Sequence, residues 1–245
     1  MKVDTLLKRG HIHTEFCEDA VYHTAVSEQW MIGAVFDGCS SGKESYFASS
    51  LTKKLLKKAC KTLPYLAKIQ PELSIINQTA KYIGEFILSQ VFSDLKTISN
   101  RYLLEEIELL STLLLTVINK KEKQAWINVS GDGVICVNNK ITTIDQHNMP
   151  DYVGYHLDKS FENWLSQHTK SYEFLNVQSL GISTDGINKF ISHSGEFSNK
   201  MNTAEQLLIQ ETGGFNSLSN AFSQLTANHQ LIPYDDIGIV RFLID

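Results

Sequence analysis

Two short apolar runs in this 245-residue chain end in the same way. Met31-Ile32-Gly33-Ala34-Val35-Phe36 runs into Asp37-Gly38, and Leu180-Gly181-Ile182-Ser183-Thr184 runs into Asp185-Gly186. A short run without polar alternation that stops at turn residues reads as a strand buried on both faces, although periodicity alone also allows a buried helix. An aspartate at such an end is held rigidly at the rim of a sheet, and the small residues after it let a ligand approach the backbone. Taken singly, each is equally readable as a turn aspartate that caps a following helix. The pattern recurs, however. Asp235-Asp236 precede the apolar stretch from Ile237 to Ile244, and Glu18-Asp19 precede Ala20-Val21-Tyr22. Acids gathered at strand ends repel one another unless a cation neutralises them, and carboxylate oxygens suit magnesium or manganese better than zinc. The expectation is a carboxylate site for two metal ions.

A histidine-based zinc site is the competing chemistry. His11-Ile12-His13 has the His-x-His form that aims alternate strand residues at one metal. The remaining histidines, at 23, 147, 156, 168, 193 and 229, do not end apolar strands, and no β-α alternation suggests a barrel. Surface or core histidines are the preferred reading.

The elements that must position the acids follow from the periodicity. Residues 1–38 hold three strands, the second near Ala20–Val26 and the third at Trp30–Phe36, joined by the short link Ser27-Glu28-Gln29. Phe47, Leu51, Leu55 and Ala59 then repeat every four residues as a helix, with Pro64 and Pro71 as punctuation. A second helical pattern uses Ile76, Ala80, Ile83, Ile87 and Val91. Strands return at Leu109–Ile118, Gln124–Val129, Val134–Val137 and Ile141–Ile144, separated by tight turns as in an antiparallel meander. Residues 146–178 lack strong periodicity except for a helical patch at Phe161–Gln167, and read as a flap or substrate-facing insert. Helices near Thr203–Gln210 and Ser217–Ala227 precede the last strand. With no repeat, low-complexity segment or linker, residues 1–245 read as one domain.

Composition excludes several classes. The chain is 42% hydrophobic and 20% charged, as in an ordinary globular protein. A net charge of −5, with no basic stripe interleaved with aromatics, argues against nucleic-acid binding. Cysteines 17, 39, 60 and 136 form no CxxC pair and read as reduced thiols. No segment has the roughly 18 apolar residues of a membrane helix, and the N-terminus has no secretory core, so the expected location is the cytoplasm.

In order and spacing these motifs resemble the metal-dependent protein phosphatases of the 2C type, over nearly the whole chain. Glu18-Asp19 is similar to the family's opening Glu-Asp, and Val35-Phe36-Asp37-Gly38 to its Val-Phe-Asp-Gly. Ser111-Thr112-Leu113 resembles the Gly-Ser/Thr-Thr strand, Gly131-Asp132-Gly133 the Gly-Asp-Ser turn, and Thr143-Ile144-Asp145-Gln146-His147 the Thr-x-Asp-His segment. Ser183-Thr184-Asp185-Gly186 resembles its Ser-Asp-Gly, and Asp235-Asp236-Ile237 its Asp-Asn/Asp-Ile/Val. Each motif is weak alone; seven in the family's order are a strong signal.

The resemblance implies an α+β fold in which two antiparallel β-sheets pack as a sandwich with helix pairs outside, a four-layer αββα arrangement. It implies that Asp37 bridges two manganese or magnesium ions and that the Gly38 carbonyl contacts one of them. Asp185 and Asp235 then bind the other ion, with Asp19 and Glu18 reaching metal through water. Asp235 is preferred to Asp236 because the first residue of the pair matches the family's ligand. Asp132 with Asp185 would hold a weaker third ion, as in bacterial-type members. The implied substrate is a phosphoserine or phosphothreonine protein, the product of a serine/threonine kinase, with catalysis by Asp37, Asp185 and Asp235 through their metals. No protein nucleophile is needed, which fits the absence of a cysteine signature loop or a Gly-x-Ser-x-Gly elbow.

Two positions depart from the family. Its phosphate-gripping arginine falls, five residues before Asp19, on Thr14, and the residue after Asp37-Gly38 is Cys39 followed by Ser40-Ser41-Gly42. His13 is the first replacement candidate for substrate binding, with Arg9, Lys43 and the backbone amides of the 40–42 turn as others. Loss of the arginine favours a second reading, a phosphatase-like regulatory module without turnover. Retention of Asp37, Asp185 and Asp235 favours an enzyme, since a degenerate module has little reason to keep acids that repel without metal.

Overall fold

The computed structural model of the protein describes residues 1–42, 44–69, 78–147, 149–197, 202–209 and 217–244. Pro71, Ile76, Gln210 and Lys43, named above, lie outside the described residues.

The first sheet is built on the apolar run that precedes Asp37. Strands β1 (Lys2–Lys8), β2 (Ala20–Ala25) and β3 (Trp30–Phe36) are followed by helices α1 (Tyr46–Ile69) and α2 (Ala80–Tyr102). Strands β4 (Leu113–Asn119), β5 (Gln124–Ser130), β6 (Gly133–Val137) and β7 (Lys140–Ile144) come next. The chain continues through α3 (Phe161–His168), β8 (Lys170–Phe174), β9 (Ser179–Ser183) and β10 (Phe190–Ser192). It ends with α4 (Thr203–Leu208), α5 (Ser217–Asn228), β11 (Leu231–Pro233) and β12 (Ile237–Leu243). One five-stranded sheet has the order β2-β3-β4-β5-β8 and the other β1-β12-β9-β6-β7, while β10 and β11 form a small ribbon. Every pairing is antiparallel.

Strand β3 lacks polar alternation because both of its faces are covered. Ile32, Ala34 and Phe36 face α1 and α2, packing with Leu56, Leu63, Ile87 and Leu88. Val35 faces the other way, into a core between the sheets shared with Leu114, Ile127, Ile182, Val240 and Phe242. On the far side, Val134, Cys136, Ile237 and Ile239 pack against Leu207, Leu218 and Leu225 of α4 and α5. Three hydrophobic cores between four layers give the expected αββα sandwich.

Local signals set the element ends. Thr79 caps α2 by accepting a hydrogen bond from the Tyr82 N–H, and Leu103 closes it in the left-handed conformation at φ 53°. The expected break at Pro64 does not occur: α1 runs through it to Ile69. A proline inside a helix removes one hydrogen bond, and here the buried stripe of Leu56, Ala59, Cys60 and Leu63 holds the helix against the first sheet. The strand expected from Leu109 starts later, since Glu106–Leu109 forms a 3-10 turn and β4 opens at Leu113.

Residues 146–178 are more regular than their sequence suggests. They contain a 3-10 turn at Val153–His156, α3 with its Ser160 cap, and β8 as the edge strand beside β5. Trp164 of α3 is fully buried and stacks on Phe92 of α2 at 5.2 Å between ring centroids. The helix therefore docks on the domain. Among the described residues no helix is long and apolar enough to cross a membrane.

Candidate active site

The acids singled out in the sequence meet at one end of the sandwich, where strands of both sheets terminate. Asp37 follows β3 directly, and Asp19 precedes β2 in the same sheet. Asp185 opens a 3-10 turn after β9, and Asp235 precedes β12 in the other sheet. Asp132 lies in the turn between β5 and β6, and its titration senses the charge of Asp185. Antiparallel strands from two sheets thus deliver their carboxylates to a shared rim.

Neutral groups lock this rim. The Thr184 hydroxyl donates to Asp19 Oδ2 at 2.7 Å and accepts the Gly238 N–H at 2.9 Å, tying the two sheets together. Asp37 is fixed through its backbone: its N–H donates to Thr112 Oγ1 at 3.0 Å, and its carbonyl accepts the Thr112 N–H at 2.8 Å. Gly38 pairs with Ser111, and a Cβ there would stand 2.2 Å from the Ser45 carbonyl oxygen.

The adjacent acids at 235 and 236 do different work. Asp236 is buried, and its carboxylate accepts the Gly10 N–H at 2.6 Å and the Glu18 N–H at 2.5 Å. It clamps the 9–18 loop and is spent structurally. Asp235 is left facing the other acids. Gly10 and Gly186 permit this fold-back, since a Cβ at either would collide with the backbone of Asp235 or Asp236.

Burial dominates the electrostatics. It pushes the Asp37 carboxyl well up, helped by the charges of Asp19, Asp185 and Asp235. Burial likewise raises Asp19, against the opposing hydrogen bond from Thr184. Asp132 is raised to about 6 by burial and by the neighbouring charge of Asp185. Two buried carboxylate oxygens, Asp19 Oδ1 and Asp132 Oδ1, have no hydrogen-bond partner in the structure. Orphaned acceptors amid mutually repelling acids fit a hard divalent cation by the chemistry of the donor set.

His13 lies outside any strand. Its Nδ1 is 3.2 Å from Glu18 Oε1 and 3.3 Å from Asp236 Oδ2, and its Nε2 is 3.3 Å from Asp235 Oδ1. These are close contacts with carboxylates rather than aligned hydrogen bonds, and they place the ring among anions. Arg9 spends Nη1 on the carbonyls of Thr14 and Glu15, at 2.8 and 3.0 Å.

Two features escaped the sequence. Lys189 stands between Asp185 and Asp235, 2.7 Å from Oδ2 of each. Burial alone would lower its pKa, but the two carboxylates outweigh that and push it up. The second is a cluster in the 146–178 segment. Asp151, His156 and His168 place ligand-type atoms within 4.8 Å of one another. Asp151 receives His156 Nε2 at 2.5 Å and His168 Nδ1 at 2.9 Å, while Lys159 Nζ reaches the other nitrogens at 3.2 and 2.9 Å. The two rings stack at 3.6 Å, so their bonds run side by side to the two oxygens of one carboxylate. Burial would raise Asp151, but both histidines outweigh it and hold the carboxyl below its usual range. A network satisfied at both ends reads as a structural staple. Replacing Asp151 with Asn should cost about 1–3 kcal/mol, the value of hydrogen bonds to a charged acceptor. Urea unfolding checks this.

A family model described as Protein phosphatase 2C matches residues 9–227. The chain belongs to the protein phosphatase 2C family. Solved structures of this phosphatase fold agree. A bacterial serine phosphatase superposes with a TM-score of 0.69 at 15% identity, covering 100% of this chain and 98% of that one. Serine/threonine phosphatase Stp1 from Staphylococcus aureus gives 0.66 at 15% identity, over 100% and 95% of the two chains. RsbX, solved in complex with magnesium, gives 0.57 at 14% identity, over 98% and 94%. No curated protein matches this phosphatase 2C family member by sequence.

Proposed function

We propose that this protein is a metal-dependent phosphatase of phosphoserine or phosphothreonine proteins. The observation that carries the reading is the meeting of Asp19, Asp37, Asp185 and Asp235 at one rim, with the buried oxygens Asp19 Oδ1 and, beside them, Asp132 Oδ1 left without a hydrogen-bond partner. In this reading Asp37 and the Gly38 carbonyl would help hold two manganese or magnesium ions, Asp185 and Asp235 would complete one position, and Asp19 would support the site through water. Asp132 beside Asp185 suits a third, weaker ion. Bound there, the ions would supply an activated water and offset charge on the phosphoryl oxygens.

The chain's own residues supply the frame. Thr112 sets the Asp37 backbone, Thr184 orients Asp19, and Asp236 holds the 9–18 loop against the acids. Rigid backbone anchoring matters because misplacing a reacting group by about 1 Å costs roughly 100-fold in rate. Family membership and the acids' arrangement favour an enzyme over an inactive regulatory module. The bacterial serine phosphatases that share the fold support the phosphoprotein substrate. A phosphopeptide assay tests the proposal. Phosphate release should be absent after chelation and restored by added manganese. Undiminished release from chelated protein, or none at any manganese concentration, would overturn it.

A further inference from the structure

Lys189 has no part in the function just proposed, yet it sits at the centre of the acids. Its ammonium is 2.7 Å from Asp185 Oδ2 and 2.7 Å from Asp235 Oδ2, the pair assigned above to a single ion. Asp185 is only four residues away in the chain, but Asp235 lies 46 residues on, so this is no simple surface pairing along a helix. The backbone of Lys189 is pinned on both sides. Its N–H donates to the Gly186 carbonyl at 2.9 Å, and its carbonyl accepts the Tyr234 N–H at 2.8 Å. Its side chain is 32% exposed, so the head group has a route into water that moves no strand.

We propose that Lys189 is a tethered cation occupying the position between Asp185 and Asp235, so that a divalent ion binds this pair only by exchange with the ammonium. The inference rests on reading these acids as cation ligands. The physical basis is competition for the same lone pairs. An ammonium forms strong directional bonds to two carboxylates but carries half the charge of a divalent ion. Exchange is therefore possible but penalised, because both charge-assisted bonds break first. The tether also keeps the competitor at a fixed local concentration that dilution cannot lower. Among the described residues no lysine or arginine forms an ion pair with Asp37 or Asp19, so the two ions should bind in separate steps, with the Asp185–Asp235 step the weaker.

The test is a calorimetric titration of chelator-stripped, full-length protein with manganese alone, for the wild type and for Lys189→Met, Lys189→Gln and Lys189→Arg. Lys189→Met and Lys189→Gln should bind the weaker ion at least about tenfold more tightly, equivalent to about 1.4 kcal/mol. Lys189→Arg keeps the charge and should titrate like the wild type. Adding Asp185→Asn to Lys189→Met should abolish the tightened step. The Gln variant, with its polar head, keeps the comparison valid if the apolar one does not fold. Superimposable titrations of wild type and the uncharged variants, or weaker binding in them, would overturn the exchange while leaving the acids as a cation site. Absence of manganese binding in all four proteins would overturn both.

Discussion

Asp37→Asn should lower phosphopeptide hydrolysis by at least about 10³-fold, because the carboxylate proposed to serve both ions secures several kcal/mol of charge stabilisation. The same variant should lose at least one manganese ion in calorimetric titration. Misfolding is excluded by the expected stability. In chelated protein the Asp37 carboxyl is pushed well above its ordinary 3.8 by burial and by three neighbouring acids. A group whose folded pKa is raised binds more protons folded than unfolded, so its contribution to stability falls as pH rises above 3.8. Asn carries no charge to desolvate, and the metal-free variant should melt no lower than the metal-free wild type at pH 8. The wild type's disadvantage should shrink towards pH 4. Full activity in Asp37→Asn, or a large drop in its metal-free melting temperature, would contradict this account.

Gly186→Val should destabilise the fold by about 3 kcal/mol or more, at the upper end of overpacking. A Cβ at this position would stand 1.8 Å from the Asp236 carbonyl oxygen, and backbone cannot give way as a flexible side chain does. The turn after β9 and the 235–236 segment would have to separate, carrying Asp185 away from Asp235. For a chain of this size, 3 kcal/mol lowers the melting temperature by about 6–12 °C. Thermal unfolding followed by circular dichroism measures it, and a shift under 2 °C would show that the segment yields. Activity should fall as well, through the displaced acid pair.

The layout of the domain was legible because burial on both faces leaves a plain mark in β3, β4 and β9. Each is a short apolar run ending at a turn, and the acids at two such ends announced the rim. Strand β8 gave no such mark. As an edge strand its Lys170, Ser171 and Glu173 face solvent, so Lys170–Phe174 lacks an apolar run. Pro64 misled because the local rule for proline was outweighed by the stripe that α1 buries. The division of labour between Asp235 and Asp236 rests on the Gly10 and Glu18 amides, more than 200 residues away, which no local pattern encodes. Lys189 was invisible for the same reason: half of its partnership is with Asp235. Residues 156 and 168 were seen only as scattered histidines, since the carboxylate joining them is fixed by the fold.

The pairing of β1 with β12, in which Lys2 stands opposite Leu243 and Lys8 opposite Ile237, has a consequence for how the protein is made. Strand β12 also separates β1 from β9, so the second sheet has no partner for β1 until residue 243 has been synthesised. The first sheet and its helices can condense earlier, with Asp37 already in place. Asp19, Asp185 and Asp235 are brought together only when β12 inserts between β1 and β9. Such long-range closure is slow, and until it happens the apolar inner face of the first sheet stays uncovered. The folding chain therefore passes through a half-built sandwich, and the acidic rim is completed only once β12 is in place.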